Sequence, residues 1–238
     1  MESFEGLIVK QIAFKESSKI LHVYTATGMI SLLVHGAKKF KSPWLSASEN
    51  LNVVNFQATG KNLLILTDAE VVSDYKNIKA DLIHLTYAQH LLEIIHFFAE
   101  TEYDHAKFYA FTKKILAKLD AETDFIPYIY LFELKFLFLL GVAPAFSACA
   151  ACGAKTGLAF RVRSGGVACE EHGEGPVASP AATDWMRTLY IHDVKNPLPG
   201  PLPIDVTAEI RRIIDDYYAF HLNFRSKSRT MLSGLLGY

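Results

Sequence analysis

The first 75 residues carry short apolar runs, the first of them in near-alternation with polar positions, and these runs are rich in β-branched and aromatic side chains. Glycine or proline separates one run from the next, which is typical of strands joined by tight turns. We predict five strands, at about 7–14, 20–25, 29–34, 51–56 and 63–66. Closure removes the exposed edges of so small a sheet, so the pattern predicts a small closed β-barrel.

The pattern changes near Ala80, where apolar residues begin to recur at every third or fourth position, the helical period. The predicted helices lie at about 82–98, 104–119, 128–140, 183–192 and 205–222. The third is apolar on nearly all sides, which is typical of the central helix of a helical domain. Thr183 is the predicted N-cap of the fourth helix. The fold class expected from both halves is α+β.

Composition limits the class of protein. Half of the 238 residues are hydrophobic and 21% are charged, which is enough apolar material for a core. No window of 18 consecutive apolar residues predicts a membrane span, and the first ten residues lack the pattern of a signal peptide. We therefore expect a cytoplasmic protein without a membrane partner. The 24 basic and 25 acidic residues balance, but the middle of the chain is acidic and both ends are basic.

The strongest chemical signal is a pair of short motifs, Cys149-x2-Cys152 and Cys169-x2-His172, with 16 residues between them. Each motif can form a chelating turn, and the loop between them lets the two turns face each other. Three thiolates and one imidazole suit Zn²⁺, and four protein ligands leave no open position for water. We predict one structural zinc ion per chain in a module at 146–180; the alternative is three reduced, unconnected thiols.

A second signal lies between the third and fourth predicted strands. Lys38, Lys39 and Lys41 can neutralise phosphates, and Phe40 and Trp44 offer faces on which bases can stack. We favour Phe40 as the stacking face because it lies inside the lysine run. The alternatives are an ordinary solvated lysine surface and a Trp44 that closes the end of the barrel.

No enzyme is expected. The nine histidines and many carboxylates form no catalytic set that the sequence reveals. The chain also lacks a phosphate-binding GxxxxGK[ST] loop, a GxGxxG motif and a nucleophile elbow.

Several further segments, taken together and in order, resemble one known family, the RecO family of bacterial recombination mediators. These segments are Gly6–Val9, Tyr24–Thr25 with Gly28, His35–Lys38, Phe132–Leu137, Leu140–Pro144, the two metal motifs with Gly165–Gly166, and the basic tail Arg225–Arg229. The resemblance runs from residue 6 to about 229. In one respect the chain departs from the family pattern, because His172 stands where a second cysteine is usual; histidine also ligates zinc.

The resemblance implies an oligonucleotide-binding (OB-fold) barrel of five strands at 1–79, a helical domain at 80–145 with 181–238, and an inserted zinc ribbon at 146–180. It implies binding of single- and double-stranded DNA, annealing of complementary strands, and loading of the RecA recombinase onto DNA coated by single-stranded-DNA-binding protein. The implied protein partners are RecR, near the barrel, and the acidic tail of the coating protein, on the helical domain. It also implies association with the nucleoid.

Two more sets of candidate residues follow from the resemblance. The basic tail supplies a second DNA-binding set, consisting of Arg225, Lys227 and Arg229. The acidic tail peptide needs a local basic and apolar site in the acidic middle of the chain. The candidates for that site are Lys113, Lys114 and Lys118, with an ordinary solvated lysine face as the alternative.

Two other function classes stay open at this point. The first is a zinc-stabilised RNA-binding or translation-associated module built on the same barrel, and a preference for DNA annealing over RNA binding would exclude it. The second is a structural adaptor whose acidic middle binds protein, and it predicts no affinity for nucleic acid.

Overall fold

Five strands open the structure, a computed structural model that describes residues 1–61 and 63–236. They are β1 (Glu2–Phe14), β2 (Ser18–Thr25), β3 (Gly28–Val34), β4 (Val53–Thr59) and β5 (Leu64–Ser73). The strands form a closed barrel in the order β1-β2-β3-β5-β4, in which β4 pairs with β1 and β3 pairs with β5 in parallel. The predicted closed five-stranded barrel is confirmed.

Alternation along the strands builds the core of the barrel. In β4, for example, Val54, Phe56 and Ala58 are buried while the residues between them are exposed. The core residues that face one another inside the barrel are Ile8, Leu21, Val23, Leu32, Val34, Ala37, Val54, Phe56, Ala58 and Leu66. The turn between β2 and β3 needs Gly28, whose φ of 111° is one that side-chain-bearing residues rarely adopt.

Seven helices and a hairpin follow in the described chain. The helices are α1 (Lys76–Ala80), α2 (Leu82–Phe97), α3 (His105–Ala121), α4 (Ile126–Leu139), α5 (Pro180–Ile191), α6 (Ile204–Leu222) and α7 (Lys227–Leu236), and the hairpin is β6 (Leu158–Arg161) with β7 (Gly166–Cys169). All five predicted helices are present. The prediction of Thr183 as an N-cap is wrong. The N-cap of α5 is Ser179, whose side-chain oxygen accepts a hydrogen bond from the N–H of Ala182, three residues further along the chain.

The chain divides into two compact units, one of Met1–Ala121 with Ser226–Tyr238 and one of Glu122–Arg225. We call the first the barrel unit, which also holds α1, α2, α3 and α7. The second is the hairpin unit, in which α4 is central: ten of its fourteen residues are buried. The predicted division into 1–79, 80–145 with 181–238, and 146–180 groups α2 and α3 differently and stays a prediction; its positions 62 and 237–238 lie outside the described residues.

Among the described residues, no helix combines the length and the apolar character that crossing a bilayer requires.

Candidate metal centre and nucleic-acid interface

The four predicted metal ligands meet beside the β6–β7 hairpin. One ligand atom from each of Cys149, Cys152, Cys169 and His172 lies within 4.8 Å of all the others. The Sγ atoms of Cys152 and Cys169 are 3.7 Å apart, and Nδ1 of His172 is 3.1 Å from Sγ of Cys169. A tetrahedral site with metal–sulfur bonds of about 2.3 Å has a sulfur–sulfur edge of about 3.8 Å. The four residues are therefore placed to hold a metal ion.

Local backbone hydrogen bonds bring each pair of ligands together. The N–H of Gly153 donates to the carbonyl of Cys149 at 2.8 Å, and the N–H of Cys149 donates to the carbonyl of Ala154 at 2.9 Å. Gly153 has a φ of 74°, a left-handed conformation that favours glycine. The second turn closes where the N–H of His172 donates to the carbonyl of Cys169 at 3.3 Å. The two-residue spacing of each motif thus becomes a tight turn.

The electrostatics of the cluster also suit a cation. Backbone N–H groups of Cys169, Cys152 and Ala151 stabilise the Cys149 thiolate and lower its pKa to about 6. At Cys152 the N–H of Ala154 favours the thiolate, but the neighbouring Cys149, burial and Cys169 outweigh it and raise the pKa. A divalent cation would remove this conflict between neighbouring sulfurs, because it binds the deprotonated forms.

The loop between β3 and β4 presents the predicted lysine run to solvent. Lys38, Lys39, Phe40 and Lys41 are all exposed, and Phe40 is 92% exposed. That is the largest exposed fraction among the large hydrophobic side chains of the described residues. Covering such a ring stabilises a complex by roughly 2 kcal/mol. Three exposed lysines and one exposed aromatic ring in the same short loop form a surface suited to a polyanion with aromatic bases.

Trp44 lies elsewhere. It is half-buried and packs against the barrel core, together with Phe4 and Leu64. This supports the alternative in which Trp44 closes the barrel, and we leave it out of the DNA surface proposed below.

The basic tail is divided by the fold. Arg225 and Lys227 are exposed, but Arg229 is only 4% exposed and its guanidinium lies 5.7 Å from the centre of the Tyr87 ring. Arg229 sits in the first turn of α7, and a phosphate cannot reach its side chain while that helix is packed. The assignment of Arg229 to DNA is therefore corrected to a packing role within the barrel unit.

Glu93, which was not among the residues predicted from the sequence, holds the start of α7 in place. The carboxylate of Glu93 in α2 accepts from the Ser226 hydroxyl at 2.7 Å, from the Lys227 N–H at 2.9 Å and from the Ser228 hydroxyl at 2.8 Å. Ser226 in turn accepts from the N–H of Arg229 at 3.1 Å, as an N-cap does. Ser226, three residues before Arg229, is a signal for a helix start that the sequence shows. Its partner Glu93 lies 133 residues earlier, and no local pattern in the sequence indicates that contact.

The predicted peptide-binding lysines lie on α3, in the barrel unit. Lys113 makes an internal ion pair with Glu5 of β1, with Nζ 2.6 Å from Oε1, and it also lies over the ring of Tyr109. Because its charge is already matched by Glu5, Lys113 does not offer a free cation to an acidic peptide. Lys114 is exposed and Lys118 is half-buried.

Comparison with known proteins covers both units. Residues 1–75 match the family described as "Recombination protein O N terminal", and residues 79–230 match "Recombination protein O C terminal". A Listeria welshimeri protein named "DNA repair protein RecO" is 32% identical over an alignment 242 positions long that covers 98% of this chain and 94% of the relative. Proteins of the same name from Exiguobacterium sp. and Symbiobacterium thermophilum are 25% and 26% identical, over 99% and 97% of this chain and 97% and 96% of the relatives.

Proposed function

The chain belongs to the RecO family of DNA repair proteins, and we propose that it is a DNA-binding recombination mediator that anneals complementary strands. It would also help to load RecA recombinase onto single strands coated by single-stranded-DNA-binding protein. The relatives are named for repair, and the proposed activity is binding and exchange of partners without bond chemistry. Its place of action would be the cytoplasm, on the nucleoid.

The observation that carries the proposal is the exposed lysine loop on a closed five-stranded barrel. Annealing brings two polyanions together, so positive charge must offset the repulsion between their phosphates. Lys38, Lys39 and Lys41 supply that charge in one short loop, and Phe40 supplies a face for a base. The four side chains are exposed, and the hydrogen bond from Lys38 Nζ to the carbonyl of Lys15 at 3.3 Å lies at the surface, so they can follow a flexible strand without disturbing the barrel core.

The metal we propose is Zn²⁺, held by Cys149, Cys152, Cys169 and His172. Three thiolates and an imidazole suit zinc, and four protein ligands give it a structural role. When bound, it supplies a fixed cross-link between the loop at 149–153 and the end of β7. The protein residues themselves would shape the surface around that cross-link, and no reaction is assigned to the metal.

The proposed protein partners are RecR and the acidic C-terminal tail of the single-stranded-DNA-binding protein. RecR would dock near the barrel. For the tail peptide, Lys114 and Lys118 remain candidates, whereas the ion pair of Lys113 with Glu5 argues against that residue.

Annealing of two labelled complementary oligonucleotides tests the proposal. The strands are supplied either bare or coated with single-stranded-DNA-binding protein. We expect the protein to raise the annealing rate in both cases, and to do so for DNA more than for an RNA pair of the same sequence. Equal rates with and without the protein at low salt would contradict the proposed function. A preference for RNA would instead favour the RNA-binding alternative.

A further inference from the structure

The hairpin unit contains a groove between the β6–β7 hairpin and α6. It encloses about 450 Å³. Among its lining residues, Phe160 and Ile213 are buried, while Val177 and Phe220 are 52% and 56% exposed. A cleft lined in part by exposed apolar side chains can accept a flat aromatic group.

Three arginines, Arg163, Arg212 and Arg225, also line this groove. All three are exposed. Within the part of the chain that the structure describes, none of their guanidinium groups makes a hydrogen bond or an ion pair. Asp216 is the one acidic residue among the described residues that line the groove. The groove therefore has a surplus of positive charge that the hairpin unit itself does not neutralise.

The groove is held in shape by contacts within the hairpin unit. The ring Nε2 of His221 in α6 lies 2.8 Å from the carbonyl oxygen of Val162, which joins the helix to the hairpin. The N–H of Ala178 donates to the carbonyl of Phe160 at 2.9 Å, which fixes the segment that carries Val177. A preformed groove loses less conformational entropy on binding than a flexible surface does.

We propose that this groove binds a single nucleic-acid strand, with the three arginines on phosphates and Phe220 stacked on a base. The planar guanidinium matches a phosphate with two parallel N–H donors, which an ammonium group cannot do. This inference rests on the proposed function, because annealing requires that a second strand be held besides the one on the barrel loop. Arg225, assigned to DNA from the sequence, gains two neighbours of the same charge here.

Asp216 favours a nucleic-acid strand over an acidic peptide. Its carboxylate can accept from an exocyclic amino group of a base, as in the pairing of acidic residues with cytosine. The same carboxylate would repel the side chains of an acidic peptide. An exposed aromatic ring beside cations is also the usual composition of a single-strand site.

The test measures binding of a fluorescent oligodeoxycytidylate, whose bases carry the exocyclic amino group, to the full chain across a salt titration. The variant Arg163→Glu with Arg212→Glu is compared with Lys155→Glu and Lys195→Glu, which make the same change in charge at exposed lysines that do not line the groove. The salt slope is the slope of the logarithm of the binding constant against the logarithm of the salt concentration. We expect its magnitude to be smaller by about 1.4 in the groove variant, since each single-strand phosphate contact contributes about 0.7. Phe220→Ala, which keeps every charge, is expected to weaken binding about 5- to 150-fold.

Binding by the groove variant that equals that of the control pair, with Phe220→Ala unchanged, would overturn the inference. So would displacement experiments in which an acidic, apolar peptide fills the groove and the oligonucleotide does not. The four residues changed to glutamate, two in the groove and two in the control, are all exposed. Equal melting temperatures would verify that each variant is folded. If the parent chain anneals DNA but the groove substitutions do not change its DNA binding, this inference alone is wrong. If the parent chain does not anneal DNA, the proposed function is wrong.

Discussion

At the scale of single residues, Cys149 has the most direct consequence. Its thiolate is stabilised by three backbone N–H groups, and it lies close to the other three ligand atoms. We expect purified protein to carry about one zinc ion per chain and Cys149→Ser to lose it, with a lower melting temperature because metal affinity adds to folding stability. Native mass spectrometry and thermal unfolding measure both. Ser147→Ala, at a nearby exposed position, is the control, and retention of zinc by Cys149→Ser would refute the assignment.

Glu5 gives a pH dependence. Burial raises the pKa of this carboxyl, but hydrogen bonds from Lys113 and Tyr109, with the charge of Lys113, lower it overall. A folded-state pKa below the unfolded one means that the unfolded chain takes up the proton first. The stabilisation is therefore present above the unfolded pKa of about 4.3 and is lost as the pH falls through the folded value.

Accordingly, Glu5→Gln should melt at a lower temperature than the parent at pH 7, and the gap should narrow as the pH approaches 3.5. Glu2→Gln, at an exposed position of the same strand, should show neither effect. Circular dichroism melts at several pH values measure the gap. A gap of constant size from pH 7 to pH 3.5 would mean that the ionised carboxylate of Glu5 contributes nothing.

At the scale of elements, the packing of α7 depends on one distant carboxylate. Glu93→Ala removes the acceptor for two hydroxyl groups and two backbone N–H groups at the start of the helix. Leaving buried donors without a partner costs about 1–3 kcal/mol. We expect a lower denaturant midpoint and faster hydrogen exchange at 227–236 than in the exposed-site control Glu100→Ala. Unchanged exchange in α7 would show that other contacts hold the helix.

The sequence predicted elements well where the signal is local. Short runs rich in β-branched and aromatic residues predicted all five barrel strands, although β1 begins at Glu2 and not near Leu7, because pairing of Glu2 with Ala58 extends it beyond its apolar run. The five longer helices were predicted from the recurrence of apolar residues at every third or fourth position. The helix α1 has only five residues, which is too short for a period to be visible.

The candidate sites show the same division between local and distant signals. The metal ligands were predictable because each pair forms within one turn. The burial of Arg229 was not, since it depends on Tyr87, which lies far away in the sequence. The ion pair of Lys113 with Glu5 likewise joins residues 108 positions apart, so a lysine cluster on a helix looked free when one of its members was not.

At the scale of the whole molecule, the net charge of −1 gives no general attraction to DNA. Binding must then come from local surfaces, and we propose the loop between β3 and β4 as the main one. Its lysines are exposed and its Phe40 ring is 92% exposed. Such a surface binds through release of counterions, so its contribution can be measured as a dependence on salt.

The most direct measurement is therefore the salt dependence of single-strand DNA affinity for the parent chain and for Lys38→Ala with Lys39→Ala and Lys41→Ala. Loss of three phosphate contacts is expected to reduce the magnitude of the salt slope by about 2 and to slow annealing. The control removes three exposed lysines elsewhere, Lys76, Lys107 and Lys195, and should keep the parent slope. If the loop variant binds and anneals like the parent at every salt concentration, the barrel loop is not the DNA-binding surface.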